Sequence, residues 1–173
     1  MRIVSEKSTL RGEVLIPSSK SHTIRGVAFS TLAHGRSIIH HPLISSDCLA
    51  AVEAGRLFGA QIDLGESWNV EGIAGAPHVP RNVVDVKNSG TTMNFFMGTA
   101  GLADGTTILT GDEQIIRRPV QSIIGALKDL GSEAYSTRNN GMPPVVVRGR
   151  LKGGRSRFSG IVSTYLSCFL IHC

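Results

Sequence analysis

The sequence predicts an α/β domain of the α+β kind, built from repeated units of about 70 residues. Three observations point there. Residues 20–39 (KSHTIRGVAFSTLAHGRSII) lie over residues 90–109 (GTTMNFFMGTAGLADGTTIL), and Ala33 and Gly35 recur as Ala103 and Gly105, a shift of 70. Further on, "RLFGAQI" (56–62) recurs as "KDLGSEA" (128–134) at a shift of 72. Finally, helix-like and strand-like stretches alternate in the same order in each copy. A period this long exceeds that of solenoid repeats and implies a duplicated supersecondary unit.

The elements follow in order. The first helix of each unit starts at Lys20 or Gly90 and stops at the next glycine, which suits a left-handed C-cap. A short strand follows at 36–40 or 106–110. The second helix begins after Ser45-Ser46-Asp47 in unit one. In unit two it begins near Arg118-Pro119, where proline suits a first turn. It ends at Gly59 or Gly131, and two further strands occupy about 60–71 and 132–148. A strand feeds into each unit from before. A third unit opens at Ser159-Gly160, with "VSTYLSCFLIHC" (162–173) as its first helix. That helix has no C-cap and nothing after it, so the chain reads as the front part of something larger. Helices alternating with strands in this way pack against sheets.

Composition narrows the class. The chain has 173 residues, 41% of them hydrophobic and 18% charged, with no low-complexity tract. That length buries roughly 70% of the unfolded surface in one domain. The 20 glycines are scattered among turns rather than gathered in a linker. The opening MRIVSEKSTL lacks an apolar signal core, and the longest nearly apolar run, Phe95–Ala103, is too short to span a bilayer. Cys48, Cys168 and Cys173 have neither metal-ligand spacing nor an even count, which points to a reduced, cytoplasmic setting. Net charge is +5, and Arg148, Arg150, Lys152, Arg155 and Arg157 crowd into ten positions. Glycines break that run and only Phe158 borders it, so it reads as a solvated loop rather than a nucleic-acid patch.

The helix starts carry the functional signal. They are Ser18-Ser19-Lys20-Ser21, Asn88-Ser89-Gly90-Thr91-Thr92 and Ser163-Thr164. Small hydroxyl residues and glycine cap a helix and let a ligand approach its free N–H groups. Each positive end favours an anion by about 0.3–1 kcal/mol when exposed. Three such ends in register, with Lys20, Arg25 and Arg118, suit phosphate and carboxylate groups.

"PSSKSHTIR", "NSGTTM", "LTGDEQIIRRP" and "LISSDCLAAVEAGRLFGA", taken together and in order, resemble the N-terminal half of the 5-enolpyruvylshikimate-3-phosphate synthase family, above all its archaeal-type members. The related UDP-N-acetylglucosamine enolpyruvyl transferases fit less well, because they have asparagine where this chain has Ser21. The resemblance implies two domains of repeated βαβαββ units with an inverse α/β barrel-like fold. Residues 1–173 would then be the N-terminal portion: unit one about 12–75, unit two about 80–150, and a partial third unit at 155–173. The second domain would be absent. It further implies transfer of the enolpyruvyl group of phosphoenolpyruvate to the 5-hydroxyl of shikimate 3-phosphate, with release of phosphate. No metal or organic cofactor is implied, nor any nucleic-acid or membrane partner, and the full-length protein would be a monomer.

By residue, the resemblance places Lys20 as the catalytic cation touching both substrates. Ser21, Arg25, Ser163 and Thr164 match the shikimate 3-phosphate binders, while Asn88, Gly90 and Arg118 match the phosphoenolpyruvate binders. The acid and base groups of the family lie mostly outside this stretch, so the chain alone is expected to bind weakly and not to turn over. Two departures bear on turnover rather than fold. Asn94 stands where the family usually has arginine, and Ser163-Thr164-Tyr165 lacks the glutamine that normally follows the paired hydroxyl residues.

Other residues have plainer readings. His40 and His41, beside Pro42, read as turn residues, and His22 as a first-turn residue within reach of an anion. Asp47 reads either as an N-cap or as an acidic residue at the cleft. Asp112 and Glu113 are expected to orient Arg117 and Arg118, with Arg117 solvated. Met93, Phe95, Phe96 and Met97 have core spacing. The alternatives to an enzyme are a phosphate-ligand-binding module without turnover and, on residues 148–157 alone, an RNA-binding domain.

Overall fold

The computed structural model describes residues 3–9 and 11–172; Met1, Arg2, Leu10 and Cys173 of the stretches discussed above lie outside them. The first half contains α1 (Lys20–Leu32), β1 (Arg36–His40), α2 (Ser46–Leu57), β2 (Gln61–Asp63) and β3 (Ser67–Glu71). The second contains β4 (Val84–Asp85), α3 (Gly90–Leu102), β5 (Thr106–Thr110), a single 3₁₀ turn (Ile115–Arg117), α4 (Gln121–Asp129), β6 (Glu133–Ser136) and β7 (Val145–Arg148). α5 (Ser163–His172) follows. Helix, strand, helix, strand, strand thus occurs twice.

Each half has its own sheet. The first has the order β1-β3-β2, antiparallel throughout, with Arg36 opposite Glu71 and His40 opposite Ser67. The second has the order β4-β5-β7-β6, in which only the β4–β5 pair is parallel. Side chains alternate across these strands, so one face of each sheet meets the helices. Leu109, Ala134, Val145 and Val147 enter the core from the second sheet, and Trp68 and Val70 from the first.

The three first helices run parallel. Arg25 of α1 lies over the Phe95 ring of α3, its guanidinium carbon 5.4 Å from the ring centroid. Asn94 of α3 donates to Thr164 of α5 at 2.8 Å, and Thr99 meets His172 at 2.9 Å. Positions related by about 70 residues therefore touch, and their N-termini share one end of the domain. α3 is the innermost helix, with ten of its 13 residues buried, so it is apolar around most of its circumference. Met93, Phe95, Phe96 and Met97 are all buried, as their spacing predicts. Gly98 lets α5 cross closely: a Cβ there would stand 2.5 Å from His172 Nδ1 and 2.8 Å from Cys168 Sγ.

Several expectations change. α3 does not end in a left-handed glycine, and after α1 the left-handed Gly35 (φ 75°) lies two residues past the C-cap. Their C-caps are Ala33 and Ala103 in extended conformation, and Gly105 is a glycine because Val79 packs where its Cβ would stand. The left-handed endings belong to α2 and α4, at Gly59 (φ 111°) and Gly131 (φ 97°). There Ala60 N–H reaches back to Gly55 O, and Ser132 N–H to Leu127 O, which is the Schellman pattern. α4 starts at Gln121, beyond Arg118-Pro119, because residues 115–117 turn more tightly first. The feeding strand forms only in the second half, as β4. Among the described residues no strand precedes α1: Val14, Leu15 and Ile16 are exposed and belong to no sheet, and a strand exists only through its ladder. The residues of the basic run are all exposed, most of them on a segment without helix or strand between β7 and α5. Among the described residues, no helix is long and apolar enough to cross a membrane.

His172 marks a pH-sensitive point in this packing. Its Nδ1–H donates to the Cys168 carbonyl, and Thr99 meets Nε2. Burial disfavours the imidazolium and lowers the pKa from 6.5 to about 4, against the opposing pull of the Cys168 carbonyl. Between those values the unfolded chain takes up a proton that the folded chain refuses. The contribution is therefore complete above pH 6.5 and is lost as pH falls towards 4. Urea unfolding should show His172 costing about 2 kcal/mol between pH 7 and pH 5. In H172Q that part of the slope should vanish.

Candidate functional site

The N-termini of α1 and α3 are built alike. Ser19 caps α1 by accepting from His22 N–H, and Ser89 caps α3 by accepting from Thr92 N–H. Both cap residues have extended backbones, so the chain enters each helix at a bend that leaves the next N–H groups open. α2 is capped by Ser45, which accepts from Cys48 N–H. Cys48 is buried against the first turn of α1, its thiol facing the Lys20 carbonyl oxygen at 3.8 Å, and burial pushes the thiol pKa up. These contacts bring the first turns of three helices into one neighbourhood.

Between them lies an open, polar cavity of about 390 Å³, whose walls include Lys20, Asp47, Asn88, Gly90, Thr91 and Arg118. Arg118 follows the 3₁₀ turn with an extended backbone, which carries its side chain back over the start of α3. It leans towards Asn88 Oδ1 at 3.5 Å. A Cβ on residue 90 would come within 2.9 Å of the Arg118 guanidinium, so glycine leaves that group its place. Lys20 Nζ lies 2.7 Å from Asp47 Oδ2. Two cations, three helix ends and one carboxylate make a cavity suited to a multiply charged anion.

A second cavity, also of about 390 Å³, adjoins the first and shares Gly90, Thr91 and Arg118 with it. Its other walls are mainly apolar, among them Met93, Ile115, Val120, Val162 and Tyr165. Tyr165 donates its hydroxyl proton to the Pro119 carbonyl at 2.9 Å and so ties α5 to the segment that carries Arg118.

The residues singled out from sequence divide into two sets. Lys20, Asn88, Gly90 and Arg118 come together in the charged cavity. Ser21, Arg25, Ser163 and Thr164 do not share one. The Arg25 guanidinium is held by the carbonyl and hydroxyl of Ser21 and rests on Phe95. Thr164 lines the apolar cavity and accepts from Asn94, while Ser163 is exposed and lines neither cavity. Asp47 is not an N-cap, since Ser45 fills that place, and its carboxylate faces Lys20. Asp112 does not orient an arginine. It accepts from Gln114 and Ile115 N–H and so caps the 3₁₀ turn. Glu113 does lie 3.8 Å from Arg117, both on the open surface. His22, His40 and His41 line a separate small cavity, with His40 Nδ1 at 3.1 Å from Ser67 Oγ and His41 at a positive φ of 48° in the turn after β1. Sequence reasoning did not single out Ser46 as a wall of the charged cavity. Its only trace is its place in the Ser45-Ser46-Asp47 helix start.

Residues 4–173 match the family model described as EPSP synthase (3-phosphoshikimate 1-carboxyvinyltransferase). A 3-phosphoshikimate 1-carboxyvinyltransferase from Acetivibrio thermocellus is 50% identical over 99% of this chain and 41% of its own length. One from the archaeon Methanothermobacter thermautotrophicus is 45% identical with the same coverage. The solved structure of EPSP synthase from Acinetobacter baumannii superposes with a TM-score of 0.85 at 26% identity, over 93% of this chain and 37% of that one. The chain thus spans about 41% of the length of such curated relatives. It belongs to the EPSP synthase (3-phosphoshikimate 1-carboxyvinyltransferase) family.

Proposed function

We propose that this chain is the N-terminal portion of a two-domain enolpyruvyl transferase that moves the enolpyruvyl group of phosphoenolpyruvate to the 5-hydroxyl of shikimate 3-phosphate and releases phosphate. In this reading it comprises units at about 12–75 and 80–150 and a partial unit at 155–173, and it works in the cytoplasm as part of a monomeric enzyme. The observation that carries the reading is the charged cavity, where Lys20 and Arg118 meet the open ends of α1 and α3. The reaction brings phosphates and carboxylates close together, and fixed cations and N–H groups offset their repulsion without rearranging.

In this proposal Arg118 grips an oxyanion of phosphoenolpyruvate in bidentate fashion. Gly90 lets that group approach the α3 backbone, and Asn88 keeps Arg118 turned towards it. Lys20 is the catalytic cation between phosphoenolpyruvate and the attacking hydroxyl. Ser21 and Arg25, with Ser163 and Thr164, hold shikimate 3-phosphate, and the apolar cavity beside them takes the less polar part of the bound molecules. A second reading, a phosphate-ligand-binding module without turnover, draws on one observation: Asn94, at the family's arginine position, donates to Thr164 and brings no cation to the site.

Two outcomes test the proposal. Arg118→Ala in this chain should weaken phosphoenolpyruvate binding by about 1.5–3 kcal/mol, the scale of a hydrogen bond to a charged group, whereas Arg155→Ala should leave it unchanged. Titration calorimetry giving equal losses for both would point to the basic segment instead. In a protein completed by the second domain, Lys20→Arg should lower kcat/KM more than tenfold, over ~1.4 kcal/mol of transition-state stabilisation, with little change in Tm. A completed protein that binds phosphoenolpyruvate but releases no phosphate would establish the binding module.

A further inference from the structure

Among the described residues, Asp47 is the only carboxylate lining the charged cavity, and it is aimed at one of the cavity's two cations. Its side chain is only 16% exposed, whereas that of Lys20 is 57% exposed, so the acid is the fixed partner and the ammonium the movable one. Asp47 sits in the first turn of α2, held there by the Ser45 cap and by Cys48 packed against α1. Asp47 is the acidic residue of that first turn, where the positive end of the helix dipole favours a carboxylate. No hydrogen bond from the α2 N–H groups claims its carboxylate; its hydrogen bond is with Lys20.

We propose that Asp47 is a tethered stand-in for the anionic ligand: it holds Lys20 when the site is empty and competes with the incoming anion for that ammonium. This rests on the reading of the cavity as an anion site and deepens it by assigning a specificity role to a residue outside the set matched above. The ammonium has three donors and Asp47 takes one, so an anion entering beside Arg118 meets Lys20 already engaged. An anion of low charge gains too little to draw Lys20 away, while a phosphate or a phosphate ester with a carboxylate gains more. A built-in competitor thus raises selectivity at some loss of affinity. A partly exposed ion pair of this kind is held only weakly, so it can be exchanged for a ligand.

The test is a titration of inorganic phosphate into this chain, followed through the backbone N–H signals of Gly90 and Thr91. Asp47→Asn, which keeps the shape and removes the charge, should bind phosphate about threefold to fivefold more tightly than the unaltered chain, on the scale of an exposed ion pair. Asp47→Ser should do the same, which covers a fold defect peculiar to the asparagine, and Asp47→Glu should restore the weaker binding. The gain from Asp47→Asn should largely disappear in a Lys20→Met background, because Asp47 acts through Lys20. Equal or weaker binding by D47N and D47S would overturn the proposal and leave the anion site intact. So would an undiminished gain in the Lys20→Met background, which would mean that Asp47 merely repels anions. Silence of the Gly90 and Thr91 signals in every variant would remove the anion site itself, and the role of Asp47 with it.

Discussion

Burial of α3 is the constraint on which the rest of this structure depends. A helix with Phe95, Phe96, Met93 and Met97 on several faces leaves water only if neighbours surround it. It is surrounded: α1, α2, α4 and α5 pack on it, as do β5 and β7 of the second sheet. The Phe58 and Phe96 rings stack with centroids 5.7 Å apart and join α2 to it. Because α3 has so little freedom, its capped N-terminus is held rigidly, and that terminus forms one side of the charged cavity. The site is precise because it is the end of the most buried element.

Duplication explains why the cations and helix ends converge. Two copies of one supersecondary unit pack with their first helices parallel, so the open N–H groups of α1 and α3 meet at one end of the domain. The second helix and the turn before α4 then add Asp47 and Arg118 from equivalent sides. The two copies have diverged in what fills these places. Where one helix start carries Lys20, the other carries Gly90, and this glycine leaves room for an arginine from elsewhere in its own half. A charge borne by the helix itself in one unit is supplied by a neighbouring loop in the other.

The contacts of Asn94 and Tyr165 have a consistent local outcome. Asn94 binds Thr164, and Tyr165 reaches Pro119. Both contacts fasten α5 to the body of the domain, where α3 and the Arg118 segment lie. Asn94 is buried, and an arginine at that position would bring a cation into a place now occupied by a short neutral hydrogen bond. The arrangement is satisfied without a charge there.

Much of this was legible in the sequence because it is local. β1 and β5 fall at 36–40 and 106–110 as alternation and turn signals indicate, and Lys20, Gly90 and Ser163 begin their helices because each follows or carries a short capping pattern. Gly59 and Gly131 mark helix ends for the same local reason, their positive φ. Gly35 and Gly105 looked equivalent to them, but a glycine letter does not say whether backbone conformation or a neighbour requires it, and at Gly105 the neighbour is Val79. Repetition and resemblance grouped Lys20, Asn88, Gly90 and Arg118, and the fold brings these four to one cavity. The sequence by itself determined the order of elements and the small, hydroxyl-bearing helix starts, which follow from propensity and capping, and it carried the family as a resemblance of motifs. Only the tertiary structure decided that Asp47 faces Lys20 across 27 positions, that Arg25 rests on Phe95, that Asn94 is tied to Thr164, and that Val14–Ile16 does not pair with β1. Those outcomes depend on which side chains the packed helices bring within reach, and that is a property of packing distances with no signature in any single stretch of the chain.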